Sequence, residues 1–295
     1  MDIKKCRAFI ASADTGSFTA AGQKLGYTQS GITRMINSLE AELGFDLFNR
    51  QKSGVTLTSN GRQILPAIRQ LVKASQLAEE LGSEIRGVKS GMIALGCYFS
   101  FAAILLPQLL KEFEEKYPGI QVNVEEGGNS EIRSWLASGQ IDLAICAKPS
   151  DHQLNWHLLF KDRLVAWLPK THPLAQAVAY PVGRLSQEDF IHTLPNKDTD
   201  QDRLIKEAGL TLKEKYTTRD GFTTYNMVEA GLGISVNQEL ISKKWQGQVA
   251  EVPIEPAFYV EMGILLPKNP PSPAVKTFAD FLQGKAKDFL PNPLT

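Results

Sequence analysis

The 295-residue sequence predicts a mostly α-helical N-terminal domain, a long linker helix and an α/β domain. Apolar residues recur at helical spacing up to about residue 86, whereas short apolar runs alternate with helical stretches from Met92 onward. A chain of this length has room for about two domains. We predict boundaries of 1–60 for the N-terminal domain, 61–90 for the linker helix and 91–295 for the α/β domain.

Residues 17–50 predict two short helices joined by a tight turn. Ser17 is a suitable N-cap for the first helix, Gly26 is suited to end it, and Thr28 can cap the second helix. The second helix has an apolar stripe at helical period. That stripe comprises Ile32, Met35, Ile36, Leu39 and Leu43. The opposite face carries no acid and comprises Gln29, Ser30, Thr33, Arg34 and Asn37.

The acid-free face of the second helix has the side chains of a surface that reads DNA. Amide, hydroxyl and guanidinium groups can reach base edges and phosphates in a major groove. An ordinary solvated helix is the alternative, but such a face usually mixes Glu with Lys. The residues that follow, Leu47–Arg50, a turn at Gln51–Gly54 and Val55–Leu57, predict a short basic hairpin. We therefore predict a helix-turn-helix with a wing.

Residues 1–60 resemble the DNA-binding domain of LysR-type transcriptional regulators. The matching positions are Phe9, Gly16, Ser17, Phe18, Ala20, Ala21, Leu25, Thr28, Gln29, Ser30, Ile32, Arg34, Ile36, Leu39, Glu40, Leu43, Gly44, Leu47, Phe48, Arg50, Leu57, Thr58 and Gly61. The resemblance implies a winged helix-turn-helix that binds double-stranded promoter DNA. The predicted DNA contacts are Ser17, Thr19, Thr28, Gln29, Ser30, Thr33, Arg34, Asn37, Arg50, Lys52 and Thr56.

A long helix is predicted from Thr58 or Ser59 to about Arg86. Its apolar residues alternate in spacing between three and four, and a helix of this length has no core of its own. Pairing with the same helix of a second subunit, which the resemblance also implies, is the simplest solution, and packing on its own chain is the alternative. Pro66 predicts a bend on the solvent side. A dimer and a tetramer both remain open, although the resemblance favours a tetramer.

The region from residue 91 alternates predicted strands and helices, which indicates a parallel sheet with helices on both faces. The strands are expected near 92–97, 120–124, 141–145, 164–168, 190–191, 214–216, 231–236 and 262–266, and the helices near 101–117, 130–138, 199–208, 223–230 and 273–283. Crossings near Asp162–Leu164 and Ile264–Lys268 would create lobe I (91–162 and 267–295) and lobe II (163–266). This is the architecture of periplasmic binding proteins, and it resembles the effector domain of the LysR family.

Four junctions between strands and helices, at 99–101, 127–130, 195–199 and 221–224, are predicted to face the cleft between the lobes. Helix N-termini favour negative charge, so we predict a small-molecule effector that is an organic anion. The predicted ligand contacts are Phe99, Ser100, Phe101, Asn129, Ser130, Lys148, Asn196, Arg203, Phe222 and Thr223. The resemblance gives most weight to Ser100. The alternatives are that Ser100, Ser130 and Thr223 only cap helices and that the aromatic rings belong to the core.

One departure from the family pattern follows Gly233 and Ile234. Many relatives have a Leu-Pro pair there, whereas this chain has Val236 and Asn237. The change predicts either an additional polar group at the edge of the cleft or an altered turn.

Charge is divided unevenly along the chain. The net charge is zero, but residues 1–90 carry about +4 and residues 91–295 about −4, as expected for a DNA-binding end and an acidic remainder. No run of about 18 apolar residues and no apolar signal-peptide core is present in the sequence, so we expect a cytoplasmic protein without a membrane partner.

The cysteines and histidines give no sign of a metal site or a disulfide framework. Three widely spaced cysteines, Cys6, Cys97 and Cys146, are expected to pack as small apolar side chains, although a redox role for Cys97 and Cys146 is conceivable. The four histidines lack metal-ligand spacing. No nucleophile elbow, phosphate loop or acid pair indicates an enzyme, and a transport solute-binding protein would need a signal peptide. We predict a ligand-responsive transcriptional regulator without cofactor or metal.

Overall fold

The computed structural model describes residues 1–51, 54–85, 89–150, 154–268 and 270–288. Lys52 of the predicted wing lies outside the described residues, as does part of the predicted linker segment, residues 86–88. The chain divides into two compact units. The first comprises the described residues of Met1–Gly91 together with Ser138–Gln140, and the second comprises Met92–Ala137 and the described residues from Ile141 onward.

The first unit contains the predicted helices and hairpin. Its elements are α1 (Ile3–Thr15), α2 (Phe18–Leu25), α3 (Gln29–Leu43), β1 (Phe48–Gln51), β2 (Gly54–Leu57) and α4 (Ser59–Ile85). Ser17 caps α2 by accepting from the Ala20 N–H, and Thr28 caps α3 by accepting from the Gly31 N–H. Both predicted caps are therefore confirmed, and β1 pairs antiparallel with β2 as the predicted hairpin.

The tight turn between α2 and α3 depends on two glycines. Gly26 ends α2 with a φ of 73°, in the left-handed region that favours glycine. A Cβ at Gly22 would lie 2.6 Å from the carbonyl oxygen of Tyr27, a distance that no side chain tolerates. The two helices can therefore approach closely only with glycine at this position.

The core of the first unit lies among α1, α2, α3 and the hairpin. Ile32, Ile36 and Leu39 of the predicted stripe are fully buried. Phe48 of β1 makes edge-to-face contacts with Phe9 and Phe18, at ring-centroid distances of 5.5 Å and 5.4 Å. These contacts join the hairpin to the helices through apolar burial.

A buried carboxylate also fastens the hairpin to α3. Glu40 is almost fully buried, and its Oε1 accepts hydrogen bonds from the backbone N–H groups of Leu47 (2.8 Å) and Phe48 (3.3 Å). Its Oε2 accepts from Nη2 of Arg50 at 2.7 Å. Because both carboxylate oxygens are used, the buried charge of Glu40 is compensated.

Helix α4 continues through Pro66, which is exposed. Its N-terminal half packs within the first unit, since Ile68 and Val72 belong to that core and Arg69 pairs with Asp14. Packing on its own chain, the alternative to intersubunit pairing, therefore holds for this half. Toward the other end, Leu81 and Ile85 expose 43% and 87% of their surface.

The second unit is built on one mixed sheet. Its strands are β3 (Gly91–Tyr98), β4 (Ile120–Gly127), β5 (Leu143–Ala147), β6 (Asn155–Pro169), β7 (Tyr180–Pro181), β10 (Ser235–Gln238), β11 (Val249–Glu255) and β12 (Tyr259–Leu266), and a separate pair comprises β8 (Asp189–Thr193) and β9 (Lys213–Thr218). The sheet order is β4-β3-β5-β12-β6-β11-β7, with β10 also paired to β6. Because β12 runs antiparallel to β5 and β6, the prediction of a parallel sheet was wrong.

Strand β6 joins the two lobes. Its first part pairs with β12, and its second part, from Leu164, pairs with β10 and β11. The first crossing therefore lies where it was predicted, but inside a continuous strand whose charged residues Lys161, Asp162 and Arg163 obscured the pattern. The return crossing precedes Tyr259, because β12 pairs with β5 from Met262 to Leu265. The sequence placed this crossing too late, near Ile264–Lys268.

Helices cover the sheet on both lobes. They are α5 (Phe99–Ile104), α6 (Leu106–Lys116), α7 (Asn129–Ala137), α8 (Asp200–Glu207), α9 (Gly221–Glu229) and α10 (Pro273–Lys285), with 3-10 turns at Val182–Gln187 and Ala286–Asp288. The single helix predicted over 101–117 is two helices separated at Leu105. Pro107 explains the break, since it has no N–H to donate to the carbonyl four residues earlier, clashes with that carbonyl in a continuous helix, and fits the first turn of a new helix.

Replacing Glu40 by alanine is expected to loosen the wing. The substitution leaves two backbone N–H groups and the Arg50 guanidinium without their acceptor, which should cost about 2 kcal/mol or more of stability in the first unit. Hydrogen–deuterium exchange of residues 45–57 in the full-length protein is the measurement, and we expect faster exchange there.

Glu42→Ala is the matched control on the same helix. Glu42 forms exposed ion pairs with Lys5 and the N-terminus, and such pairs contribute little. Equal exchange of residues 45–57 in wild type and Glu40→Ala would contradict the role assigned to Glu40.

Candidate functional site

The predicted DNA-reading face of α3 is open to solvent. Gln29, Ser30, Arg34 and Asn37 are exposed, whereas Thr33 is half-buried and donates its hydroxyl to the carbonyl oxygen of Gln29 at 2.9 Å. The exposed side chains share one helix face opposite the buried stripe. This arrangement presents amide, hydroxyl and guanidinium groups on one rigid element.

Among the other predicted DNA contacts, some side chains are hydrogen-bonded within the chain and others are exposed. Ser17 and Thr28 use their hydroxyl oxygens to cap helices, and Thr28 also contacts Ser30 Oγ at 3.1 Å. Thr19 and Thr56 are exposed. A capping hydroxyl is held in place, so Ser17 and Thr28 support the geometry of this face through the helices they cap.

Arg50 is engaged within the chain. Its Nη2 donates to Glu40 Oε2 at 2.7 Å and to Asn37 Oδ1 at 2.5 Å, and its guanidinium carbon lies 5.6 Å from the ring centroid of Phe18. Arg50, which was predicted to contact the DNA backbone, thus also connects the wing to α3. Any phosphate contact by Arg50 would have to come from its remaining N–H groups.

A cavity of about 290 Å³ lies between the lobes of the second unit. Lobe I contributes Tyr98, Phe99, Ala103 and Glu126. Lobe II contributes Thr193, Leu194, Thr199, Asp200, Gln201, Arg219, Asp220, Gly221, Phe222, Val236, Asn237, Gln238, Ile241 and Trp245. Most of the deep side chains are polar and buried, whereas Glu126, Arg219, Asp220 and Phe222 are exposed at the rim. A pocket of this kind, with aromatic walls and a few placed polar groups, suits a small molecule.

One side of the buried lining is held by a satisfied hydrogen-bond network. Gln201 Oε1 accepts from the Thr193 N–H at 2.9 Å, and its Nε2 donates to the Val236 carbonyl oxygen at 2.6 Å and to Ser235 Oγ at 3.1 Å. The hydroxyls of Thr193 and Thr224 lie 2.7 Å apart. Gln201 therefore shapes the cavity wall but has little capacity left for a ligand.

Two buried acceptors in residues of the cavity lining have no hydrogen-bond partner among the described residues. They are Oδ1 of Asp200 and Oε1 of Gln238, in side chains that are 4% and 3% exposed. Nδ2 of Asn237 also lacks a partner within the described part of the chain. Asn237 lies in β10, so the family departure at this position adds a polar group to the cavity rather than altering a turn.

Burial changes the acidity of two carboxyl groups in the second unit. It raises the pKa of Asp200 to about 6, while Arg203 and a hydrogen bond with Tyr98 act in the opposite direction. It raises the pKa of Asp162, at the crossing in β6, to about 7, opposed mainly by the N–H of Leu240. Burial therefore brings the pKa of both carboxyl groups toward neutrality.

Two of the ten predicted ligand contacts, Phe99 and Phe222, line this cavity. Phe101 does not, because it is fully buried in the core and stacks on Phe160. Ser100 is also buried, and its Oγ has no partner among the described residues. Asn196 lies in the loop before α8, where its N–H donates to Asp202 at 3.2 Å.

The remaining predicted contacts form polar bridges between the lobes. Asn129 Nδ2 donates to the carbonyl oxygen of Asp198 at 3.0 Å, and Ser130 Oγ donates to that of Lys197 at 3.2 Å. Arg203 Nη1 donates to the carbonyl oxygen of Lys148 at 3.1 Å. These residues join lobe I to lobe II.

Asp198 is the centre of this interlobe bridge. Its carboxylate accepts from Arg133 of lobe I at 2.7 Å and from Nε and Nη2 of Arg203 of lobe II, both at 2.9 Å. Burial alone would raise the pKa of Asp198, but the two arginines outweigh it and hold the pKa below its usual value. The carboxylate is therefore ionised when it pairs with both lobes.

The helix N-termini at the cleft are capped differently from the prediction. Tyr98 and Asp220 occupy the N-cap positions of α5 and α9, so Ser100 and Thr223 lie inside their helices, as does Ser130 in α7. The Asp220 carboxylate accepts from the N–H groups of Phe222 and Thr223 and from the Thr223 hydroxyl. The capping-only alternative was therefore wrong for all three hydroxyl residues.

The cysteines are buried thiols. Cys97 lies opposite Ile145 in the parallel pair β3–β5, so Cys146, the next residue, points to the other face of the sheet. Desolvation raises the pKa of the Cys146 thiol to about 12 and that of Cys97 well above its usual value. Buried thiols of this kind react poorly, which opposes the redox role considered from the sequence.

A helix-turn-helix with an exposed polar helix, together with a two-lobed domain that encloses a cavity, defines the class of ligand-responsive DNA-binding regulators. Residues 3–62 match the description "Bacterial regulatory helix-turn-helix protein, lysR family", and residues 86–287 match "LysR substrate binding domain". The chain belongs to the LysR family of transcriptional regulators, which are not enzymes. The resemblance found in the sequence is thereby confirmed.

Relatives of the chain are named as HTH-type transcriptional regulators. It is 32% identical over 241 residues to an uncharacterized HTH-type transcriptional regulator, YvbU, of Bacillus subtilis, with 81% of this chain and 82% of that protein covered. It is 28% identical to a probable HTH-type transcriptional regulator, LrrA, of Synechococcus elongatus, over 98% of both chains.

Solved structures share the fold. A variant of full-length OxyR from Pseudomonas aeruginosa has a TM-score of 0.73 and 22% identity and covers 96% of this chain and 95% of its own. Full-length CbnR complexed with its target DNA has a TM-score of 0.68 and 19% identity, with 96% and 99% covered. Within the described residues, no helix is long and apolar enough to span a membrane.

Sequence reasoning missed most of the cavity lining. Asp200 directly follows the predicted junction 195–199, and Gln238 follows the noted Val236–Asn237 pair, so proximity to these signals could have found both. No sequence pattern indicated that Trp245 and Arg219 would line the cavity. Their place in the cavity depends on how α9 and β10 pack in lobe II.

Replacing Asp198 by alanine is expected to loosen the connection between the lobes. The substitution leaves Arg133 and Arg203 without their shared carboxylate, which should cost about 1–2 kcal/mol of stability in the second unit. We expect faster hydrogen–deuterium exchange in residues 129–133 and 196–203 of the full-length protein.

Asp189→Ala is the matched control, because Asp189 also pairs with two basic side chains, Lys213 and Lys215, but within lobe II. If both variants changed exchange at 129–133 equally, the bridge would have no specific interlobe role.

Proposed function

We propose that the protein binds promoter DNA sequence-specifically as an oligomer and that a small molecule in the interlobe cavity modulates this binding. The exposed, acid-free face of α3 is the observation that carries the DNA-binding part. Because its target would be chromosomal DNA, we place its action in the cytoplasm.

The α3 face offers direct contacts to bases. Arg34 and Asn37 are exposed one helical turn apart, near Gln29 and Ser30. Guanidinium and amide groups suit the donor and acceptor patterns of guanine and adenine in the major groove. Thr19, Thr56 and Lys52 would contact the backbone. CbnR, whose structure is a complex with target DNA, supports this function by analogy.

Oligomerisation would bring two such faces to one operator. Leu81 and Ile85, near the C-terminal end of α4, expose apolar surface that a second copy of α4 could cover. A two-fold pair of winged domains would match a palindromic site, as is usual for helix-turn-helix dimers. We propose a homodimer or a homotetramer.

The cavity supports a small-molecule effector. It combines aromatic walls with buried polar atoms that lack protein partners among the described residues, and the interlobe bridge lies beside it. A ligand that contacts both lobes would change the balance of their contacts, which is the differential affinity that regulation requires. We therefore propose a small-molecule effector without assigning its charge. That the effector is an organic anion stays a prediction from the sequence.

Replacing Arg34 by alanine is expected to weaken binding to the specific operator by about 10-fold to 100-fold, because one base or phosphate contact contributes about 1–3 kcal/mol. The measurement is fluorescence anisotropy with labelled DNA from upstream of the protein's own gene, at a stated salt concentration. An unrelated fragment reports non-specific affinity.

Arg184→Ala is the control, since Arg184 is exposed in the second unit and its replacement removes the same charge. Unchanged operator affinity in Arg34→Ala would contradict the role of α3, provided that wild type prefers the operator over the unrelated fragment.

Filling the cavity is expected to abolish the response to ligands. Ala103 is exposed at the rim, so the large indole ring of Ala103→Trp should block entry. Ligand binding to the folded state raises its thermal midpoint. In a thermal-shift screen of polar metabolites, compounds that stabilise wild type should fail to stabilise Ala103→Trp.

Val178→Trp serves as the control because Val178 is 93% exposed and lies outside the cavity lining. Compounds that stabilise wild type, Ala103→Trp and Val178→Trp alike would show that they bind elsewhere.

A further inference from the structure

We propose that the ligand of the interlobe cavity carries a protonated amine, held by Asp200 and Gln238, on an apolar or aromatic body. The inference rests on the proposed effector function of this cavity. It assigns the chemical class of the ligand, and it differs from the organic anion that the sequence predicted.

The helix N-termini at the cleft, which favoured an anion, are occupied by carboxylates of the chain itself. Asp202 accepts from the backbone N–H groups of Asn196, Lys197 and Thr199, at the start of α8. The N-terminus of α9 is likewise occupied by Asp220. Since the chain's own carboxylates already take these donors, little positive potential remains there for an anionic ligand.

The start of α7 follows the same pattern. The N–H of Gly128 donates to Glu131 Oε2 at 3.2 Å. Three of the four junctions that the sequence assigned to anion binding are thus supplied with an internal carboxylate. The fourth, at α5, begins a helix of six residues with no side-chain cap.

Two residues of the cavity lining carry buried acceptors that are unpaired among the described residues. Asp200 and Gln238 are almost fully buried residues of the cavity lining, and Oδ1 of the first and Oε1 of the second lack partners among the described residues, although Tyr98 hydrogen-bonds to the Asp200 carboxyl group. The Gln238 amide nitrogen donates to the thioether of Met262 at 3.6 Å, which places its oxygen as the free atom. A buried acceptor without a donor is costly, so both atoms favour a ligand that brings N–H groups.

The basic side chains near the cavity are engaged elsewhere or lie at its rim. Arg203 is near Asp200, but its Nε and Nη2 donate to Asp198 and its Nη1 to the carbonyl of Lys148. Arg219 is exposed at the rim, where Glu126 and Asp220 lie as well. In the described lining, acidic side chains outnumber basic ones. The buried charged residue among them is Asp200.

Aromatic rings of both lobes line the cavity and suit an apolar or aromatic ligand body. Phe222 and Trp245 meet edge to face at 5.3 Å, and Phe99 lies on the opposing lobe. Aromatic faces attract cations and cover apolar surface. The Asn237 Nδ2, which has no partner among the described residues, would accommodate a hydroxyl or carbonyl on the same molecule.

The test compares three probes of similar shape on the full-length protein by isothermal titration calorimetry: 2-phenylethylamine, 3-phenylpropanoate and 3-phenylpropan-1-ol. We expect the amine to bind most tightly. Asp200→Asn removes the charge with little change in shape, and it should weaken amine binding about tenfold or more while affecting the alcohol less. Asp189→Asn, in an exposed ion-pair cluster of lobe II, should leave amine binding unchanged.

Tighter binding of 3-phenylpropanoate, an unchanged amine affinity in a folded Asp200→Asn, or no saturable binding of the amine would each overturn the amine assignment. Ala103→Trp separates this failure from failure of the effector cavity. If that variant abolished binding of the carboxylate or alcohol probe, the cavity would remain the ligand site and only the assigned class would be wrong.

Discussion

The antiparallel pairing of β6 with β12, β10 and β11 is the constraint on which the second unit depends. One continuous strand, Asn155–Pro169, pairs with lobe I along its first part and with lobe II along its second part. The lobes are therefore joined by a shared hydrogen-bonded sheet at this crossing. The cavity lies between the helices and loops that each lobe places beside this common strand, and so its walls are positioned by the same ladder.

Buried polar groups divide into two kinds in this protein. Glu40 and Gln201 have their acceptors and donors satisfied, and they hold the wing and the cavity wall in place. Asp200 and Gln238, two residues of the cavity lining, each keep a buried acceptor without a partner among the described residues. Satisfied networks stabilise one arrangement, whereas unpaired buried acceptors are retained only where something else, such as a ligand, compensates them.

Several residues that were predicted to bind DNA or a ligand also make contacts within the chain. Arg50 was predicted to clamp DNA, and it also connects α3, Glu40 and the ring of Phe18. Asn129, Ser130 and Arg203 were predicted to touch a ligand, and they bridge the lobes next to the cavity. A ligand that altered these bridges would change the contacts between the lobes, which gives the proposed regulation a physical route.

Local features of this protein could be predicted from its sequence. The caps Ser17 and Thr28, the glycine that ends α2, the apolar stripe of α3 and the alternation of strands and helices all depend on neighbours within a few residues, where propensity and periodicity act. Only the tertiary structure decided the antiparallel course of β12 and the place of the return crossing, because strand pairing depends on distant segments. It also decided the charge of the cavity. Whether a helix N-terminus is free for an anion depends on which carboxylates fold onto it, and Asp202 and Asp220 occupy these two termini here.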